Sequence, residues 1–210
     1  MSTATTVTPG KENRISSVRF MAFVGMFSAI AAVLMFIEMP IPFIAPPFYK
    51  LDLSEVPVLV GTFALGPVGG IFIEIIKILI HLLIKGTSTA YVGELGNLVV
   101  GMALFLPAGL IYKKVKTRKG ALIGLITGSV VMILAGSLMN AYVLLPMYAA
   151  AFGGMEGILA FGTEIHASVN SVASFVALCV APFNLVKAII TSILTLLLYK
   201  RISVLIKGQH

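Results

Sequence analysis

Long apolar runs, separated by short polar or proline-bearing breaks, dominate the chain, and each run predicts a helix. The first, Val18 to Ile37, is preceded by Lys11, Arg14 and Arg19 and stopped by Glu38 and Pro40. The stretch Met39 to Tyr49 carries prolines at 40, 42, 46 and 47. It reads as a structured loop, because each ring removes a backbone donor and restricts the residue before it. A short second helix is expected from about Ser54 to Leu65, with Ser54 as N-cap, Glu55 in the first turn, and Gly66-Pro67 as the break. Helix three covers roughly Val68 to Ile84 and ends at Lys85-Gly86-Thr87-Ser88-Thr89, and helix four occupies about Gly93 to Tyr112. Helix five extends from about Ala121 to Leu145 and closes at Pro146, opening a polar connection from Met147 to about Asn170. Helix six runs from about Pro182 to Tyr199, with an earlier start inside Ser174 to Val180 as the longer reading.

Composition decides where these helices reside. Of 210 residues, 59% are hydrophobic and 11% charged, and the mean hydropathy is +1.06. A water-soluble fold is excluded, because a chain this short has too little interior to hide such an excess. At about 20 residues per crossing, the length holds at most roughly seven or eight spans, leaving no room for a sizeable soluble domain. The expectation is an all-α polytopic membrane protein with six transmembrane helices: a cytoplasmic tail at 1–17 and a membrane domain at 18–207.

The net charge of +7 could suggest nucleic acid, but the basic residues are placed topologically. Three lie before or at the start of helix one, five (Lys113, Lys114, Lys116, Arg118 and Lys119) follow helix four, and three (Lys200, Arg201 and Lys207) end the chain. With six helices these groups share one side, which the positive-inside rule makes the cytoplasm, so both termini are expected there. Lys50 and Lys85 fall outside, together with Asp52, Glu55, Glu156 and Glu164 and the two longest connections. The proline-rich connection then reads as an external lid over a cavity. Cys179 is the single cysteine, which excludes an intramolecular disulfide and a cysteine-based metal site.

Polar side chains inside spans are costly and are expected to face a cavity or a partner. Asn184 and Lys187, three apart, share one face near the outer end of helix six. Asn140 lies near the outer end of helix five, and an amide offers both the acceptor and the donor that the edge of a heteroaromatic imide requires. Each asparagine could equally serve a helix-to-helix bond. Glu74 and Lys77 on helix three are also three apart and read as a neutralising pair, with His81 one turn on as a packing histidine. Glu94 and Asn97 open helix four, where Glu94 either complements the helix dipole or meets a ligand. On helix one, Gly25 with Ala29 and Ser28 with Ala32 are spaced by four and permit close approach by another helix. Catalytic candidates are absent: Glu164 and His166 lack a second ligand set for a metal, and there is no GxxxxGK[ST] phosphate loop.

Three segments together resemble a known family: Pro46-Pro47-Phe48-Tyr49-Lys50-Leu51-Asp52-Leu53-Ser54-Glu55-Val56-Pro57; Ala64-Leu65-Gly66-Pro67 with Gly69-Gly70; and Gly86-Thr87-Ser88-Thr89 with Gly93-Glu94-Leu95-Gly96-Asn97. They are similar to the substrate-binding S components of energy-coupling factor (ECF) vitamin transporters, nearest to the riboflavin-specific RibU-type members, over Arg19 to Lys207. The resemblance implies a six-helix bundle that holds riboflavin, with FMN as a further candidate ligand, near the outer face. Asn140, Asn184 and Lys187 match positions of ligand contact, the Lys50 to Asp52 segment matches the lid, and Phe48 would supply an apolar wall. Helix one, with Gly25, Ser28, Ala29 and Ala32, would meet the coupling subunit EcfT. Capture without catalysis is implied, with no cofactor, and release inward would need EcfT and two ATPases in the plasma membrane of a prokaryote. The rival readings are an S component for another vitamin, a solitary proton-coupled transporter relaying through Glu74, Lys77 and His81, and an intramembrane enzyme.

Overall fold

The computed structural model describes residues 17–151 and 153–207, with side chains described for 17–150 and 153–199. The expected tail, including Lys11 and Arg14, therefore lies outside the described residues apart from Ser17, as do the side chains of Lys200, Arg201 and Lys207. Helix α1 (Ser17–Phe36) leads into a short antiparallel pair, β1 (Met39–Pro40) and β2 (Lys50–Leu51), with Met39 opposite Leu51 and Pro40 opposite Lys50. The proline-rich stretch is thus a closed loop pinned at its base. Helices α2 (Glu55–Leu65), α3 (Pro67–Lys85) and α4 (Val92–Lys114) follow at the boundaries the sequence predicts, within one or two residues.

Among the described residues, five helical stretches are long and apolar enough to cross a membrane: Ser17–Phe36, Pro67–Lys85, Val92–Lys114, Arg118–Ala150 and Val172–Tyr199. Large apolar side chains such as Val18, Val33, Leu83, Leu134 and Leu197 project outward along them. A surface of that kind is stable only against lipid. Helix α2 differs: its 11 residues span roughly 16 Å, about half of a hydrocarbon core. It is buried continuously from Glu55 to Phe63 and is packed by α1, α3, α4 and α9 (Ala181–Lys207). A helix that is apolar all round belongs in the middle of a bundle.

The expected end of helix five at Pro146 is corrected. Helix α5 (Arg118–Met139) passes through a wide π-helical turn, Asn140–Leu144, into α6 (Leu145–Ala151), so Pro146 lies within a continuing helix. The last span is built the same way: α8 (Val172–Phe175), a π-turn at Val176–Val180, then α9 with Pro182 inside it. A proline ring ordinarily collides with the carbonyl four residues back. A wide turn stands two residues upstream of each proline, with Leu145 N–H donating to Asn140 O and Ala181 N–H to Val176 O, five residues back. The two wide turns pack against one another. The connection expected from Met147 to Asn170 is likewise mostly helical, since α7 (Met155–Ile165) caps this end of the bundle.

Two apolar cores result. One is formed by Leu59, Ile73, Leu104, Phe105 and Met132 and extends to Tyr112 and Tyr199, whose hydroxyls meet at 3.0 Å. The other, under the lid, holds Leu144, Tyr148, Phe175, Cys179 and Phe183. Within the first, α4 and α5 approach closely: a Cβ on Gly124 would fall 2.7 Å from the Ala108 carbonyl oxygen.

Candidate ligand-binding site

A cavity of about 220 Å³ opens between the lid, the end of α3, the start of α4 and the wide turns of the last two spans. Of the residues singled out in the sequence, Phe48, Lys50, Glu94, Asn97, Asn140, Asn184 and Lys187 all line it. Asp52 does not. It stands behind Lys187, whose Nζ donates to Asp52 Oδ2 at 3.1 Å and to Asn97 Oδ1 at 2.9 Å. In this position Asp52 braces the amine that lines the cavity. Asp52 also accepts from the backbone N–H of Ser54, at 2.8 Å, and from the Ser54 hydroxyl. Ser54 has helical φ and ψ and makes no side-chain cap to α2, so its predicted capping role is replaced by this one. Burial alone would push the Asp52 carboxyl up, but the Lys187 and Lys77 ammoniums and the Ser54 hydrogen bonds outweigh it and hold it down at about 2.

The amides are placed by the wide turns. Asn140 donates from Nδ2 to the Gly136 carbonyl at 2.8 Å and accepts at Oδ1 from the Tyr49 hydroxyl at 2.5 Å. Asn184 Nδ2 is buried with no hydrogen-bond partner among the described residues, and a Cβ on Gly136 would lie 2.6 Å from it. Asn140 thus engages the lid, while Asn184 retains unused donor capacity. Around them stands an aromatic wall: the Phe48 ring is 4.8 Å from Tyr49 and 4.9 Å from Tyr148, and Tyr49 is 5.6 Å from Phe183, centroid to centroid. Burial, with Tyr148 and Cys179 nearby, pushes the Tyr49 phenol well up, so it remains a donor.

At the mouth, Glu38 Oε1 accepts from Lys50 on the lid at 2.6 Å and from Lys85 at the end of α3 at 2.5 Å. Burial opposes the charge on Glu38, but the two lysines prevail and its carboxyl is lowered. Across the mouth, Thr87 and Thr89 donate to Glu94 Oε2 at 3.1 and 3.2 Å, and Thr89 Oγ1 accepts from Gly93 N–H. Thr89 therefore caps the start of α4, freeing Glu94 to face inward.

A second ionic group lies off the cavity. Lys77 Nζ is 2.8 Å from Glu55 Oε1 and 2.7 Å from Glu74 Oε2, all three side chains fully buried. The Glu74–Lys77 pair was expected. Glu55, in the first turn of α2 as expected, joins the pair from the neighbouring helix. On α1, Ser28 and Ala32 are buried in the bundle while Gly25 and Ala29 are exposed. Sequence reasoning missed Glu38, Tyr49, His81, Lys85 and Tyr148 as cavity residues. A clue was available for His81, Lys77 and Lys85, which recur every four residues along one face of α3.

Residues 19–199 match the family described as ECF transporter, substrate-specific component. The chain belongs to this family. It is 36% identical over 184 residues to the riboflavin transporter RibU of Staphylococcus aureus (strain TCH60), covering 88% of this chain and 90% of that protein. It is 28% identical over 194 residues to the riboflavin transporter FmnP of Bacillus subtilis (strain 168), covering 92% and 96%. A solved structure, reported as the structure and mechanism of the S component of a bacterial ECF transporter, superposes with a TM-score of 0.72 at 35% identity, covering 91% of this chain and 99% of that one. As an S component, the molecule is a membrane-embedded substrate-binding part of a transporter and not an enzyme.

Proposed function

We propose that this S component captures riboflavin from outside the cell in the cavity beneath the lid. The observation that carries the reading is the joining of an aromatic wall to Asn184 and Lys187 in one buried cavity, in a chain 36% identical to a riboflavin transporter. A flavin ring would lose water against Phe48, Tyr148 and Phe183, while the Asn184 amide and the Lys187 amine meet its carbonyl and imide edge. Lys50, Glu94 and Asn97 stand where ligand hydroxyls would be received, and Asn140 acts through Tyr49 to close the lid. Six helical segments form the membrane domain at 18–207, α2 as a buried half-span. The basic residues favour cytoplasmic termini in a prokaryotic plasma membrane. Delivery inward requires EcfT and two ATPases, with Gly25 and Ala29 on the exposed face of α1 as the EcfT contact.

The test is direct. The protein purified in detergent from a riboflavin-producing host is expected to be yellow, to release riboflavin on denaturation, and, once emptied, to quench added riboflavin fluorescence one to one. A colourless protein that leaves that fluorescence unchanged would refute the reading.

A further inference from the structure

His81 lies on α3 at the cavity wall, 5% exposed, its ring 5.2 Å from that of Phe36. Neither ring nitrogen has a hydrogen-bond partner among the described residues. Buried polar atoms are rarely left so, and a histidine kept for packing ordinarily donates one N–H to a carbonyl or carboxylate. The lysines of α3 on either side of it are engaged: Lys77 by Glu55 and Glu74, one turn inward, and Lys85 by Glu38, one turn outward. His81 stands between them with both its donor and its acceptor unspent.

The cavity lining also mixes two chemistries. Phe48, Tyr148, Phe183 and Asn184 suit a flat heteroaromatic ring, whereas Glu38, His81, Thr87, Ser88 and Glu94 add carboxylate, imidazole and hydroxyl groups. Glu38, Lys85, Glu94 and Asp52 are the charges that act on the imidazole. Neutral imidazole carries one donor and one acceptor, and each alcohol group is likewise both. We infer that His81 is a ligand-contacting residue that hydrogen-bonds the polyhydroxylated tail of the captured molecule and so selects for that tail. The inference rests on the flavin reading above and adds to it the residue that tells a polyol-bearing ring from a bare one.

The experiment compares two ligands that share the ring system: riboflavin, and lumiflavin, which has a methyl group in place of the polyol tail. Affinities are read by flavin fluorescence quenching on the full chain in detergent. In His81→Phe, which keeps a ring against Phe36, riboflavin affinity is expected to fall about tenfold or more while lumiflavin affinity stays within about twofold. His81→Gln, which restores a donor and an acceptor, is expected to recover most of the riboflavin loss. An equal loss for both ligands, or none, would overturn the inference and leave the flavin reading standing. Failure of the unsubstituted protein to bind riboflavin would overturn both. If His81→Phe does not purify as a monodisperse protein, the riboflavin-to-lumiflavin ratio is read from His81→Leu and His81→Gln, and an unchanged ratio in both refutes the inference.

Discussion

Lys187 brings a charge into an apolar interior, and Asp52 and Asn97 meet it there. Removing one partner of such a pair leaves an uncompensated buried charge, so Asp52→Asn is expected to cost about 3 kcal/mol, read as a lowered thermal midpoint in detergent. The same pair predicts an acid limit. Asp52 sits at about 2 when folded against an ordinary value of 3.8, so its contribution, about 2 kcal/mol, is complete above the ordinary value and is lost as pH falls through the folded one. Thermal midpoints measured across that window should drop in the parent and lose this component of the drop in Asp52→Asn. At position 136 the constraint is steric: Gly136→Ala places a methyl group against Asn184 Nδ2, and riboflavin affinity should fall at least tenfold with smaller change in the thermal midpoint. Asn184 and Lys187 were legible as a pair because helical spacing joins them. The role of Asp52 was not, because 135 residues separate it from Lys187, and nothing local distinguishes a ligand contact from a group that braces one.

Among the elements, the lid is held at three places: the β1–β2 pairing at its base, the Tyr49–Asn140 bond, and Glu38 shared by Lys50 and Lys85. Glu38→Gln removes the charge that gathers the two lysines while leaving the walls intact. Ligand dissociation should then quicken several-fold, with association changed less, as measured by stopped-flow fluorescence. Because the Glu38 carboxyl is lowered from 4.5, the closure it provides is complete above that value and is lost as pH falls through the lower one. Dissociation from the parent should therefore accelerate in acid, and Glu38→Gln should be insensitive over the same range. Proline spacing announced the structured loop between α1 and α2. It misled at Pro146, and at Pro182 the longer reading of the last helix is the one observed, because whether a proline ends a helix depends on the geometry of the turn before it, and no residue type marks a wide turn.

For the molecule as a whole, apolar content and basic clusters sufficed to place it in a membrane, since both follow from composition and order along the chain. That α2 is a buried half-span follows instead from three-dimensional enclosure. The Glu55–Lys77–Glu74 group ties α2 to α3 away from the cavity. Lys77→Met would strand two buried carboxylates, and a loss of about 3–5 kcal/mol is expected, with riboflavin affinity little altered in whatever protein remains folded. Thermal unfolding followed beside fluorescence titration separates these outcomes. The orientation is tested by labelling in a Cys179→Ala background. A cysteine at Ser88 should react with an impermeant maleimide in intact cells, and one at Lys116 only after the membrane is permeabilised. The reverse pattern would invert the topology.

The wide turns at Asn140–Leu144 and Val176–Val180 each accommodate one residue more than a regular turn. Because the surplus residue is absorbed within the turn, deleting it would let that rod run straight with the segment beyond nearly in place, at the cost of the proline's clash. The same deletion in a regular stretch of either rod would rotate everything beyond by about 100° and draw it back by about 1.5 Å, carrying Tyr148, or Asn184 with Lys187, away from the cavity. A one-residue gap in an otherwise collinear relative would thus keep the recognition surface aimed as it is only where the gap falls on a wide turn.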